Sequence, residues 1–332
     1  MLRLTAARER HRLAAPFRIS RGVKTEIEVV AAEIAGGPAV GRGEGVPYPR
    51  YGESPAAVLQ QVLSLACEVE RGLTRRELLE ALSPGSARAA VDAALWDMEG
   101  RALAAGAAPA PVVTALTVSL DEPAAMAVAA AALAHAPLLK VKVDARAPEA
   151  QIRAVRAAAP RARLIVDPNE SWSIDLLRDL QGLLSSLGVA LVEQPLPAEA
   201  DEALEGFPAQ VPICADESCH VAADLDRLEG RYQAVNIKLD KSGGLTAALD
   251  LYREARARGL LVMVGCMICT SRSIAPAQVL AARADFVDLD GPLWLRRDHA
   301  GGVRLQESLL QPASAELWNP GAAGMALHSL GL

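Results

Sequence analysis

Cysteine is scarce in this chain. Five cysteines in 332 residues, an odd number, do not make a disulfide framework. Cys266 and Cys269 form a CxxC, but no second pair accompanies it. The run follows the apolar LLVMVG, so both read as small core residues rather than redox or zinc groups. An excess of positive charge is missing too. The net charge is −6, which argues against a nucleic-acid partner. The opening MLRLTAARERHRL has no apolar core of a secretory signal. The alanine-rich run over 124–136 is too short to span a bilayer and is bounded by Glu122, Pro123, His135 and Pro137. The expected setting is therefore cytoplasmic, with no membrane. No glycine-rich turn follows the first α/β strand, which disfavours an open dinucleotide-binding sheet.

What the chain does hold is enough apolar material for a large core. Hydrophobic residues make up 51% and charged residues 22%, so global disorder is excluded. The length suits one large or two ordinary domains. Residues 1–35 alternate as a β-hairpin around the turn SRG at 20–22, and 40–46 can add a third strand. PYPRYG at 47–52 reads as a loop. Ser54 caps a helix opened by Pro55, and helical periodicity covers 56–71, 75–82 and 86–105. Pro109 and Pro111 close this α+β section, placing a first domain at 1–110. Strand–helix repeats then follow. Strands are expected at 112–119, 138–143, 163–167, 189–193, 211–216, 234–239, 260–265 and 286–290, with helices such as 148–159, 173–187, 244–258 and 273–283 between them. Eight strands with helical crossovers predict a parallel β/α barrel over 111–291. Residues 292–332 are expected to return and complete the first domain.

Barrel enzymes carry their reactive groups at the C-terminal ends of the strands. Here those ends hold Lys140 and Lys142, Asp167, Glu193, Asp216, Lys238, then Asp288 and Asp290. Lys140 and Lys142, in LLKVKVD, are two apart and share a strand face. Alone, they would read as the solvated face of an edge strand. Asp167, Glu193 and Asp216 close successive strands at intervals of 26 and 23 residues. Adjacent strands lie about 4.8 Å apart, so three such carboxylates need a cation to stay ionised together. Three hard oxygen donors suit Mg²⁺; capping of the following helices is the plainer reading. Strands two and six of eight are opposed, which puts a lysine on each face of anything bound between them. That arrangement suits removing a proton from one face of a carbon and returning it to the other. Each lysine must be partly neutral to act as a base, so its pKa is expected to be lowered by burial and neighbouring cations.

Together KVK at 140–142, DPNES at 167–171, VEQP at 192–195, ADES at 215–218, NIKLDKSGG at 236–244 and DLDGP at 288–292 resemble the enolase superfamily. More closely, the chain is similar to the L-Ala-D/L-Glu dipeptide epimerases of its muconate-lactonizing subgroup. The resemblance covers essentially the whole chain. It implies an α+β capping domain followed by a (β/α)7β modified TIM barrel. It implies Lys142 and Lys238 as acid/base groups and Asp167, Glu193 and Asp216 as ligands of one Mg²⁺ per subunit. Lys140 would stabilise the substrate carboxylate. Such sites pair a lysine or histidine base with Mg²⁺. The implied reaction is 1,1-proton transfer at the Glu α-carbon of a dipeptide through an enediolate, in murein peptide recycling. Pro168 departs from the pattern, where a small residue is more usual.

Asp288 and Asp290 would take the α-ammonium of a dipeptide, as the resemblance implies, with the metal on the other side of the barrel. Substrates of the related o-succinylbenzoate synthases and N-acylamino acid racemases carry no free ammonium. Arg21, Tyr48 and Tyr51 match mobile capping loops of the family. Arg21 would pair with a substrate side-chain carboxylate, and Arg50 is a weaker candidate. Cys269, Thr270 and Ser271 could line the pocket or simply pack. Lys241 lies beyond its strand end, outside the catalytic pair, and His220 reads as a surface residue. Barrels of this kind often form homo-oligomers.

Overall fold

The computed structural model describes residues 1–37, 39–103 and 108–329. Arg3–Ile19 (β1), Gly22–Gly36 (β2) and Ala39–Gly45 (β3) form an antiparallel sheet in that order. The 56–71 helix is interrupted at Leu65, giving Pro55–Ser64 and Ala66–Glu70. Ser54 caps the first of these through Ala57 N. Thr74 and Glu77 form a reciprocal capping box on Arg75–Ala81. Ser86–Ala102 packs on the sheet; of its expected extent, 104 and 105 lie outside the described residues.

The expected strand at 112–119 is split. Val112–Val113 (β4) pairs with a later hairpin, while Leu116–Val118 (β5) opens the barrel. The chain turns between them because Thr114 and Ala115 bond elsewhere. Ala115 N donates to Val287 O at 2.7 Å, and Thr114 Oγ1 accepts from Leu289 N at 2.8 Å. Both partners lie at the last barrel strand, so this break is what draws the first and last strands together.

The remaining barrel strands are Leu138–Lys142 (β6), Arg163–Asp167 (β7), Val189–Glu193 (β8), Ile213–Ala215 (β9), Ala234–Lys238 (β10), Leu261–Gly265 (β11) and Phe286–Asp288 (β12). They run parallel, each beside its sequence neighbour, from β5 to β12. This is the (β/α)7β barrel beside an α+β unit. The crossovers flanking β9 are thin: a 3₁₀ segment at Ala198–Leu204 and a four-residue helix at Leu225–Leu228. Arg304–Gln306 (β13) and Leu309–Gln311 (β14) form the hairpin that pairs with β4. The chain then returns to the first unit. Trp318 Nε1 donates to Ala93 O at 2.9 Å and Asn319 N to Asp97 Oδ1 at 2.6 Å.

Period-two alternation sorts the barrel interior into layers. Leu138, Ile165, Leu191, Cys214, Ala234, Met263 and Phe286 form an apolar plug. Two residues further along the same faces stand Lys140, Asp167, Glu193, Asp216, Asn236, Gly265 and Asp288. Hydrophobic residues below force the charged ones toward the C-terminal mouth. Gly265 is required in this layer: a Cβ there would lie 2.5 Å from Asn236 Oδ1.

Candidate active site

The three strand-ending acids do converge. Lys140, almost fully buried, reaches Glu193 Oε2 at 2.7 Å, Asp288 Oδ2 at 2.8 Å and Asp167 Oδ2 at 3.1 Å. Lys142 Nζ lies 2.5 Å from Asp167 Oδ2, and Lys238 Nζ 2.6 Å from Asp216 Oδ2. Asn236 Nδ2 donates to Glu193 Oε1 at 2.9 Å. The sequence reading placed Asp288 and Asp290 across the barrel from the metal; Asp288 instead stands beside the acid trio. Lys140 joins the two.

Burial raises the pKa of Asp167, Glu193 and Asp216, and the neighbours decide the outcome. For Asp167, the Lys142 and Lys140 ammoniums overcome burial and hold the carboxyl at about 2. Lys238 and Lys241 hold Asp216 well below its usual range. Burial and the nearby Asp167 push Glu193 up to about 7. The expectation of a lowered Lys238 is overturned. Burial does lower it, but Asp216 raises it further, above the ordinary lysine range. A charge at 2.6 Å outweighs desolvation here.

The donor set fits a hard divalent cation. Glu193 Oε2 and Asp216 Oδ1 are buried and, among the described residues, have no partner in hydrogen-bonding geometry. Ammonium groups at 2.7 Å meet them only as charges. Three buried carboxylates on adjacent strands offer oxygen donors that Mg²⁺ accepts.

A cavity of about 460 Å³ opens above this layer. Lys142 and Lys238 line it from β6 and β10, strands four apart in a ring of eight. Asp288 and Asp290 line it from the end of β12. Asp288 Oδ1 is buried and unpartnered among the described residues. Asp290 Oδ2 accepts from Thr117 N at 2.7 Å and Trp294 Nε1 at 3.3 Å. Burial and Asp288 raise Asp290 to about 6.

Loops of the first unit roof the cavity. Arg21, Tyr48 and Tyr51 all reach it. Arg21, however, is already paired, with Glu217 at 2.7 Å and Glu170 at 2.9 Å. Arg50 grips the same Glu170 through two hydrogen bonds, at 2.8 and 2.7 Å. Glu170 thus latches both capping loops to the barrel. It follows Pro168 in a turn where Asn169 and Glu170 take left-handed φ values of 47° and 68°.

Sequence reading missed Lys24, three residues beyond Arg21. It lines the cavity with Nζ 4.2 Å above the Tyr48 ring, and among the described residues it makes no ion pair. Burial lowers its pKa, and Arg21, Lys238 and Lys142 add to that. Lys24 lies on β2 just past the SRG turn, where a lone lysine carries no motif. Lys241 was also undervalued. Its fully buried Nζ contacts Asp216 Oδ1 at 2.7 Å and the carbonyls of Cys219 and Asn236 at 2.8 and 2.9 Å. It fixes the Asp216 carboxylate in place. His220 is half-buried rather than superficial, packed edge-on against Tyr51 at 4.7 Å. Burial and Lys241 lower its pKa to about 4. Cys266, Met267 and Ile268 line the cavity, so one CxxC sulfur reaches it. Thr270 and Ser271 turn away, toward Glu44 and Asp298.

Residues 1–108 match the N-terminal domain family of mandelate racemase and muconate lactonizing enzyme. Residues 123–319 match the enolase C-terminal domain-like family. The chain belongs to the enolase superfamily. It is 50% identical over 295 residues to the L-Ala-D/L-Glu epimerase of Escherichia coli strain K12, across 86% of this chain and 92% of that one. It is 41% identical over 288 residues to an N-acetyl-D-glutamate racemase of a Pseudoalteromonas species, across 84% and 91% of the two chains. An Agrobacterium tumefaciens enolase-family structure with homology to dipeptide epimerases, holding sodium and L-Ala-L-Glu, superposes with a TM-score of 0.92. Its identity is 46%, covering 96% of this chain and all of that one. An Enterococcus faecalis dipeptide epimerase holding Mg and L-Leu-L-Tyr gives a TM-score of 0.87 at 28% identity, covering 96% and 98%. Within the enolase superfamily this chain is an isomerase of the racemase and epimerase kind. Among its described residues no helix is long and apolar enough to cross a membrane.

Proposed function

We propose that the protein interconverts L-Ala-D-Glu and L-Ala-L-Glu, using one Mg²⁺ per subunit, in cytoplasmic recycling of murein peptides. The observation that carries this is the pair Lys142 and Lys238, facing one cavity from opposed strands above a buried carboxylate layer. A Glu α-carbon between them presents its proton to one lysine. The neutral lysine removes it, leaving an enediolate. The other, as an ammonium, returns a proton to the opposite face. The two lysines exchange protonation states in each turnover, which makes the reaction reversible.

Asp167, Glu193 and Asp216 would hold Mg²⁺, whose charge stabilises the enediolate and competes with the lysines for those carboxylates. Lys140 adds a fixed ammonium beside the same oxygens. The unpartnered Asp288 Oδ1 accepts from the dipeptide α-ammonium, with Asp290 adding charge nearby. Lys24, rather than the already paired Arg21, faces the Glu side-chain carboxylate. Arg21, Tyr48 and Tyr51 shape the roof and exclude water.

The test is proton NMR in D₂O with each dipeptide and Mg²⁺. Loss of the Glu α-proton signal with appearance of the other diastereomer, abolished by EDTA, is the expected result. No exchange with either dipeptide, from folded and Mg²⁺-loaded protein, would overturn it. A second reading, racemisation of an N-acylated glutamate, is favoured by the 41% identical racemase. Asp288→Asn separates the two. Losing one charged hydrogen bond costs roughly 1.5–3 kcal/mol, or about 10- to 150-fold in kcat/KM for a dipeptide. An N-acetylated substrate, lacking the ammonium, should lose much less, because only the Asp288–Lys140 pair is disturbed. Lys24→Gln should raise KM for Glu-containing dipeptides about tenfold and leave L-Ala-L-Ala unchanged, as steady-state kinetics would show.

A further inference from the structure

Away from the cavity, one cluster of metal-ligating side chains has no part in epimerisation. Glu9 and His11 sit two apart on β1, on the half-buried face that Leu13 continues, while Arg10 and Arg12 point to solvent. The chain leaving the barrel runs along this strand. Leu295 bridges Leu13, and Arg296 N donates to Arg12 O at 2.8 Å. That pairing brings His299 opposite His11, with ring centroids 5.8 Å apart.

Glu9, His11 and His299 each offer one ligand atom within 4.8 Å of the other two. Nε2 of His11 and Nε2 of His299 are buried and, among the described residues, lack a hydrogen-bond partner. A buried imidazole nitrogen left without a partner is costly, and here two converge. His11 Nε2 lies 3.6 Å from Glu9 Oε2. Ligands of a tetrahedral zinc stand roughly 3.4 Å apart, given bonds of about 2.1 Å, so small side-chain rotations complete the set. The fully buried Glu44 carboxylate stands 3.6 Å from His299 Nε2. It faces the same nitrogen that would bind the metal, so it adds negative charge at the site rather than orienting the ring through its other nitrogen.

We propose that Glu9, His11 and His299 form a second metal site, for a borderline dication of the Zn²⁺ class. Two imidazoles and a carboxylate favour Zn²⁺ or Co²⁺ over Mg²⁺, which prefers oxygen. The hollow that these three residues line shares no residue with the catalytic cavity. A metal here staples β1 to the segment that follows the barrel. That segment also carries Trp294, which packs edge-on against Phe17 at 4.7 Å and bonds Asp290.

The probe is Co²⁺ itself, titrated into the full chain with Mg²⁺ saturating the oxygen site. The wild type should develop the intense visible bands of four-coordinate Co²⁺ with one equivalent, displaced by Zn²⁺. Zn²⁺ should also raise its melting temperature. His11→Ala and His299→Ala should lose both effects yet keep Mg²⁺-dependent epimerisation. Asp216→Asn, altered in the oxygen site, should keep the bands. Should a histidine variant not fold by circular dichroism, Glu9→Gln, at a partly exposed position, gives the same reading. Absence of the bands and of the zinc shift in the wild type overturns the proposal. So does their persistence in His299→Ala.

Discussion

Lys238→Ala is expected to reduce epimerisation by about 10²–10⁴-fold, the usual contribution of one positioned general acid or base. The more telling result is asymmetric. With Lys142 intact, the variant should still exchange the Glu α-proton of one diastereomer in D₂O without converting it. Lys142→Ala should show the mirror pattern, exchanging only the other. The reason is geometric: each lysine lines the cavity from its own strand, and the two strands are opposed. A single base reaches one face of the α-carbon and returns deuterium to that same face. Lys238 also lies 2.6 Å from Asp216, but Lys241 holds the other carboxylate oxygen at 2.7 Å. The carboxylate therefore keeps a cationic partner, and a loss of metal affinity would not explain the asymmetry. Full two-way epimerisation by Lys238→Ala would refute the two-base reading.

Glu193→Gln should abolish turnover as completely as EDTA does, because it replaces a charged oxygen donor with a neutral one. Its effect on stability should have the opposite sign. Burial and Asp167 raise the Glu193 carboxyl to about 7, so its surroundings favour a neutral group despite Lys140 at 2.7 Å. The sign follows from linkage. The folded pKa exceeds the unfolded one of about 4.5, so this stability is present below that pH and is lost as pH rises through 7. At pH 8 without divalent cation the variant should melt above the wild type. Adding Mg²⁺ reverses the order. The wild type gains about 2.7 kcal/mol at a hundredfold excess over Kd, and the variant gains little. Thermal melts with and without Mg²⁺ check this; an equal Mg²⁺ response in both proteins would remove Glu193 from the metal set.

Much of the site was legible from residue order alone. A parallel barrel gives each strand end one place on a ring, and side-chain alternation sets which face is inward. Asp167, Glu193 and Asp216 could therefore be placed beside one another, and Lys140 and Lys142 across from Lys238, before any coordinates. Local periodicity also fixed the eight-strand count and the initial antiparallel hairpin. What the sequence could not settle were matters of distance between charges. Lys140 unites the acid trio with Asp288, and Asp216 raises Lys238 instead of leaving it lowered, because Coulomb terms depend on separations of a few ångströms. The split at Thr114 and Ala115 comes from hydrogen bonds to the last strand, nearly 175 residues away, which no local pattern encodes. The same holds for Lys24 and Arg21. In sequence both are basic residues at or just past one turn; only the folded chain brings Glu170 and Glu217 onto Arg21 and leaves Lys24 facing the cavity. Strand order and alternation determined which groups meet, because they act along the chain. Tertiary packing decided which charges neutralise one another, because that depends on distance through space.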